Sequence, residues 1–236
     1  MEVALLAEQL GVSQVTVRKD LDSLERRGIV RREHGFALLG GTDDINNRLA
    51  FHYEEKKRIA CLAAALVSPG ETVMIESGSC CTLLAEQIAR AVPGATIVTN
   101  SAFIAGYIRH LNAHIVLLGG DFQNDAQVMV GPVLKSCVAQ FYTEKLFIGI
   151  DGYSARLGFS GNNHLRVQAV HDMAEHASQI IVLSESRKFL QNGVVPMGVT
   201  GQVKSVVTDA LLPAETEVEL LAAGVSVHKA DMRPAL

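Results

Sequence analysis

The sequence predicts an α/β protein in two parts: a small, truncated winged helix-turn-helix at the N-terminus and a Rossmann-like, mainly parallel, doubly wound domain after it. Three observations carry this. The first 40 residues hold a helix, a glycine turn and a basic second helix. Residues 53–236 alternate short apolar runs with amphipathic stretches, the pattern of strand–helix units around a parallel sheet. Between them, GGTDDINNRLA is polar and turn-rich, which reads as a connection over 41–52.

In the head, EVALLAEQL places Val3, Leu6, Ala7 and Leu10 on one helical face. Gly11 ends that helix, and Val12 is positioned to turn back toward the core. Ser13 is a good N-cap for the next helix, 14–27, which buries Val17, Leu21 and Leu24 at i, i+4 and i+7. Gly28 closes it. The early positions of such a helix reach base edges and phosphates. Ser13, Gln14, Thr16, Val17, Arg18 and Lys19 are therefore the candidate DNA contacts. The following IVRREHGFALL alternates about a glycine like a two-stranded wing, with Arg31, Arg32 and His34 placed against the flanking backbone.

The overall charge of −4 hides an asymmetry. Residues 13–34 carry +2 and the other residues together −6. A basic head on an acidic body steers one end toward phosphate. The four cysteines, Cys61, Cys80, Cys81 and Cys137, form no C-x-x-C pair, so neither a disulfide framework nor a zinc finger is indicated. Free thiols and the absence of a basic-flanked apolar leader imply a cytoplasmic protein. No run of 18 apolar residues is present, so no membrane partner is expected. No cofactor and no metal are expected either: His171 and His176 stand five apart, a poor helical spacing for a shared ion.

In the body the predicted strands are ETVMIE, ATIVTN, HIVLLGG, EKLFIGID, QIIVLSE and SVVTD. Ligands of open parallel sheets bind beyond the carboxyl ends of the strands. Five such ends carry small, hydroxyl, glycine or charged residues, which marks them as one binding crevice. They are Glu76, Ser77, Gly78, Ser79, Cys80 and Thr82; Thr99, Asn100 and Ser101; Gly119 and Gly120; Asp151 and Gly152; and Lys188 with its neighbours. In the loop ESGSCCT, Gly78 admits an anion close to the backbone and Ser77, Ser79 and Thr82 offer hydroxyls. The helix that follows adds free N–H groups and a positive dipole end. A phosphorylated small molecule fits this set.

The run LAEQLGVSQVTVRKDLDSLERRGIVRREHG resembles the winged helix-turn-helix of the DeoR family of regulators. It matches at Val12, Ser13, Thr16, Val17, Arg18, Lys19, Asp20, Leu21, Leu24, Gly28, Arg32, His34 and Gly35. The body is similar to the DeoR sensor domain in Glu55-Lys56, the S-G-S-x-x-T loop, T-N-S, G-G, Val130-Gly131-Pro132, Ile150-Asp151-Gly152, Lys188-Phe189 and Val207-Thr208-Asp209. The resemblance implies a ribose-5-phosphate-isomerase-like fold, operator DNA and a sugar-phosphate effector as partners, a homo-oligomer, and repression. It also implies a further helix ahead of Met1, leaving Leu5, Leu6 and Leu10 short of packing. Three departures bear on the ligand: an acid-S-G-S-C-C loop in place of D-x-G-T-T, Glu185 in place of an aspartate, and Arg187 in place of a small residue.

The alternative is a sugar-phosphate isomerase. Asp151 and Lys188 would supply a base and an electrostatic donor. Such an enzyme needs a second acid three residues beyond Asp151, and Ser154 stands there. A regulator that is not an enzyme is the stronger expectation.

Overall fold

A computed structural model describes residues 3–26, 31–33, 36–38 and 43–231. The chain divides into two compact units, residues 1–52 and 53–236.

In the first unit, α1 (Val3–Leu10) and α2 (Gln14–Arg26) are followed by β1 (Arg31–Glu33), β2 (Phe36–Leu38) and α3 (Ile45–Ala50). Val3, Ala7, Val17 and Leu21 form the buried contact between α1 and α2, with Leu6 and Leu24 at its margin. Gly11 ends α1 at φ 64°, and its N–H donates to the Glu8 carbonyl while Val12 N–H donates to Ala7 O. The left-handed residue satisfies the last carbonyls of the helix. Ser13 caps α2: its hydroxyl oxygen accepts from Thr16 N–H at 3.1 Å. Two expectations fail here. Leu10 is 61 % exposed and Val12 42 %, so neither turns into the small core. β1 and β2 pair antiparallel, Arg31 opposite Leu38 and Glu33 opposite Phe36, as a wing requires. The stretch read as a turn-rich connection contains α3, because Asp44 accepts from Asn46 N–H and caps it.

The second unit begins with α4 (Tyr53–Ala64), then β3 (Thr72–Ile75), α5 (Ser79–Ala91), β4 (Thr96–Thr99), α6 (Ala102–Ile108) and β5 (His114–Leu117). A hairpin, β6 (Asp121–Gln123) with β7 (Val128–Val130), leads to α7 (Pro132–Val138) and β8 (Thr143–Ile148). A second hairpin, β9 (Gly152–Ser154) with β10 (Gly158–Gly161), leads to α8 (His164–Ala174) and β11 (Ala177–Leu183). A 3-10 turn at Ser186–Leu190, β12 (Val195–Pro196), β13 (Val203–Asp209), α9 (Ala214–Ala222) and β14 (Ser226–Ala230) complete the unit.

Seven strands form one parallel sheet in the order β14-β13-β11-β8-β3-β4-β5. Successive side chains point to opposite faces. Met74, Val98, Leu146, Ile148, Ile180, Val182 and Val206 face a core shared with Leu134 and Val138 of α7 and Val167, Val170 and Met173 of α8. The alternate residues Val73, Ile75, Ile97, Phe147, Ile181 and Val207 are equally buried on the other face. There α4 lies across β11, β13 and β14 and against α5. Helices on both faces explain why these strands read as unbroken apolar runs. Among the described residues, no helix is long and apolar enough to cross a membrane.

Phe147 is fully buried in the central strand β8. Phe147→Ala is expected to destabilise the second unit by about 3–5 kcal/mol, read as a shift in the urea midpoint at unchanged slope. A loss below about 1 kcal/mol would remove β8 from the centre of the core.

Candidate functional site

The chain runs outward from β3 through β4 to β5, then returns beside β3 as β8 and runs outward the other way. The topological switch point is therefore between β3 and β8, and a crevice opens beyond their carboxyl ends. The two ends are adjacent: a Cβ built on Gly149 would lie 3.6 Å from the Ser77 carbonyl oxygen, and Glu76 N–H donates to Phe147 O at 2.9 Å.

The β3 end enters α5 through Gly78, whose φ of 129° is open to glycine alone. Apart from its two chain neighbours, no described residue comes within 4 Å of where its Cβ would be. The space before the first turn of α5 is thus clear, as a backbone anion site requires. The hydroxyls behave differently from expectation. Ser77 Oγ donates to Glu76 Oε1 at 2.5 Å, and Thr82 Oγ1 donates to Gly78 O at 2.8 Å. Both protons are already committed within the protein. The donors that remain toward an anion are the N–H groups of the first turn and the Ser79 hydroxyl.

At the β8 end, Asp151 Oδ2 accepts from Asn162 N–H at 2.9 Å, and Asp151 Oδ1 is 3.6 Å from Lys188 Nζ. Lys188 lies on the 3-10 turn after β11. Gln191 Nε2 donates to Asp151 O at 2.8 Å, so that turn is tied back to the β8 end. Tyr153 packs on Phe159 and Phe189, ring centroids 5.0 and 5.9 Å away. Burial raises its hydroxyl above the ordinary pKa, and the charge of Glu219 pushes it further up. The phenol stays protonated at neutral pH.

Gly152 is a packing residue: a Cβ there would fall 2.5 Å from Gly193 N. The same correction applies to Gly120. A Cβ there would sit 2.6 Å from Val130 O; this glycine serves the β6–β7 hairpin, and with Gly119 it stands at the edge strand, two strand spacings, about 10 Å, from β3. Thr99 Oγ1 accepts from Ser101 N–H, and the Ser101 hydroxyl oxygen accepts from Ile104 N–H to cap α6. Both hydroxyls act here as acceptors; Asn100 differs in that its Oδ1 has no partner among the described residues.

Several charged residues near these strand ends were not among the candidate contacts, although Lys56 and Asp209 lie in the family-like pieces and Glu185 and Arg187 among the departures. Lys56 on α4 is 1 % exposed and lies 3.9 Å from Glu185 Oε1; its neighbour Lys57 is exposed. Nothing in the run EEKK separates the two. Arg187 also approaches Glu185 Oε1, at 2.8 Å. Asp209, at the end of β13, accepts from Ser186 N–H at 2.7 Å and from Leu211 N–H at 3.0 Å. Arg166, in the first turn of α8, is buried. A charged residue just after an apolar run was the available signal for Glu185 and Asp209.

On α2, Gln14, Thr16, Arg18 and Lys19 are exposed. Val17 is 2 % exposed and belongs to the helix contact, which removes it from the DNA-contacting set. Ser13 is occupied as the cap, its hydroxyl 2.9 Å from that of Thr16. Arg31 and Arg32 are on β1 of the wing. His34 lies outside the described residues.

Residues 1–40 match the DeoR-like helix-turn-helix domain and residues 51–210 the DeoR C-terminal sensor domain. The protein belongs to the DeoR family and is a DNA-binding transcriptional regulator. It is 27 % identical to the HTH-type transcriptional regulator GlpR of Haloferax volcanii over 95 % of this chain and 89 % of that protein. It is 30 % identical to the HTH-type transcriptional repressor CsqR of Escherichia coli over 93 % and 85 %. Among solved structures, ribose 5-phosphate isomerase from Plasmodium falciparum aligns with a TM-score of 0.44 at 16 % identity, over 60 % of this chain and 55 % of that one.

Asp209 ties the start of the 3-10 turn, through Ser186 N–H, to the chain leaving β13, through Leu211 N–H. Asp209→Ala is expected to cost about 1–3 kcal/mol in chemical denaturation. A cost under about 0.5 kcal/mol would show that the turn is held by other contacts.

Proposed function

We propose that this regulator is a repressor whose affinity for operator DNA is set by a phosphorylated sugar bound at the β3–β8 switch point. The observation that supports it best is the open space in front of Gly78 at the start of α5. The phosphate sits on the first-turn N–H groups and Ser79. Lys188 supplies a positive charge from the opposite wall, and Asp151 accepts from ligand hydroxyls. A ligand that takes Lys188 as partner loosens its 3.6 Å pair with Asp151. Any effect on DNA affinity must be matched by an equal effect of DNA on ligand affinity.

On the DNA side, Gln14, Thr16, Arg18 and Lys19 enter the major groove, and Arg31 and Arg32 take flanking phosphates. The protein acts as a homo-oligomer in the cytoplasm, since paired half-sites suit a helix-turn-helix. Isomerase activity is not favoured. Ser154 accepts from Leu157 N–H at 3.3 Å as a turn residue and offers no carboxylate.

Gel shifts with DNA from around its own gene test the first part. Arg18→Ala is expected to weaken sequence-preferring binding by about 1–3 kcal/mol if it contacts a base; an unchanged affinity removes α2 from the groove. Thermal shift against a panel of sugar phosphates tests the second. At least one is expected to raise the Tm of the wild type and to raise that of Lys188→Ala less; equal shifts in both would displace the site.

A further inference from the structure

We infer that Asn100 is a specificity residue of this crevice, and that its side-chain carbonyl accepts a hydrogen bond from a ligand hydroxyl. The inference rests on the switch-point crevice proposed above and adds to it a demand on the ligand beyond its phosphate.

Asn100 follows β4 immediately. Since Ile75 is in register with Thr99, Asn100 stands beside Glu76 at the next step of the parallel ladder, on the same face. The residue is 0 % exposed. Its Nδ2 donates to Met129 O at 3.0 Å, which fixes the orientation of the amide: the nitrogen must face that carbonyl, so Oδ1 points the other way. Oδ1 has no hydrogen-bond partner among the described residues. A buried acceptor without a partner is unfavourable and uncommon in native proteins. Here the backbone around it is well satisfied: Asn100 O accepts from Met129 N–H at 2.8 Å, and Ser101 bridges to Val128. The unmet capacity is confined to one side-chain oxygen.

That oxygen repels a phosphate and suits a donor. The crevice is thereby divided. N–H donors lie at the start of α5; an unpartnered acceptor, Asn100 Oδ1, lies at the end of the neighbouring strand β4. A molecule with a phosphate at one end and hydroxyls at the other satisfies both. A phosphate with an alkyl tail leaves the Asn100 acceptor buried and unpaired. The amide that offers Oδ1 also holds the β6–β7 hairpin through its Nδ2. That hairpin is also bonded through Phe103 N–H to Gln127 O, at a turn where Gln127 takes φ 48°, an uncommon conformation for a non-glycine residue. Ligand selection and hairpin position are linked through one side chain.

Isothermal titration of the full chain tests this with inorganic phosphate, propyl phosphate, glycerol 3-phosphate, ribose 5-phosphate and fructose 6-phosphate. At least one hydroxylated phosphate should bind the wild type about tenfold to a hundredfold more tightly than propyl phosphate. Asn100→Leu should abolish that preference and leave the affinity for propyl phosphate within about twofold. If Asn100→Leu retains the preference, the assignment of Asn100 is wrong while the crevice stands. If no phosphate binds the wild type, or Lys188→Ala binds all of them equally well, the crevice itself is misplaced and the assignment falls with it. Should Asn100→Leu fail to fold, the wild type is titrated with the single-deoxy analogues of its best ligand. Loss of about tenfold or more at one position supports the inference, and no position losing more than about twofold overturns it.

Discussion

The second unit depends on a single topological constraint, the reversal of winding direction between β3 and β8. Parallel strands end on the same side of a sheet. Where the chain leaves in opposite directions from two neighbouring strands, no connecting helix can cover the gap between their ends. Everything chemically useful in this unit borders that gap. The glycine turn into α5, Asp151 with its backbone donor from Asn162, and Lys188 reaching across from the turn after β11 are consequences of where the chain reverses.

The rim of this gap is made rigid mostly by backbone close to backbone. Gly152 lies against Gly193; no side chain would fit between them. Asp209 ties the first N–H of the 3-10 turn to the end of β13. Such contacts leave little freedom to the loops that carry the polar side chains. The charge group of Lys56, Glu185 and Arg187 is of another kind: Lys56 and Glu185 are buried, and Arg187 reaches Glu185 from the surface. Removing one member of a buried charge group strands the others, so groups of this kind fix arrangement more than they add stability. Lys56 comes from α4 and Glu185 from the end of β11, so this pairing sets the position of a helix relative to the rim.

Much of this was legible in the sequence. Six of the seven strands of the main sheet stand out as apolar runs, the inner ones because both their faces are covered. The helix capped by Ser13, with Val17 and Leu21 inside, is written in local spacing. The strands that went unread, β6, β7, β9, β10, β12 and β14, are short or lie outside the centre of the main sheet. β14 mixes His228 and Lys229 with Val227, and its polar positions hide it. Helix α3 was obscured because its Asn46-Asn47 pair reads as a turn; Asp44 capping overrode that preference.

Sequence by itself determined the class of protein, the place of the second helix of the helix-turn-helix, and the list of polar strand ends from which a ligand site is proposed, because those follow from periodicity and from residue chemistry one strand at a time. Tertiary structure decided which members of that list act together. Gly120 and Gly152 proved to be sites of close packing, and the protons of Ser77 and Thr82 proved to be spent inside the protein. Lys56 joined the buried charges, and Asn100 kept an acceptor in reserve. The physical reason is the same in each case: a hydrogen-bonding capacity is known from the residue type, but whether it is already used depends on neighbours brought from elsewhere in the chain.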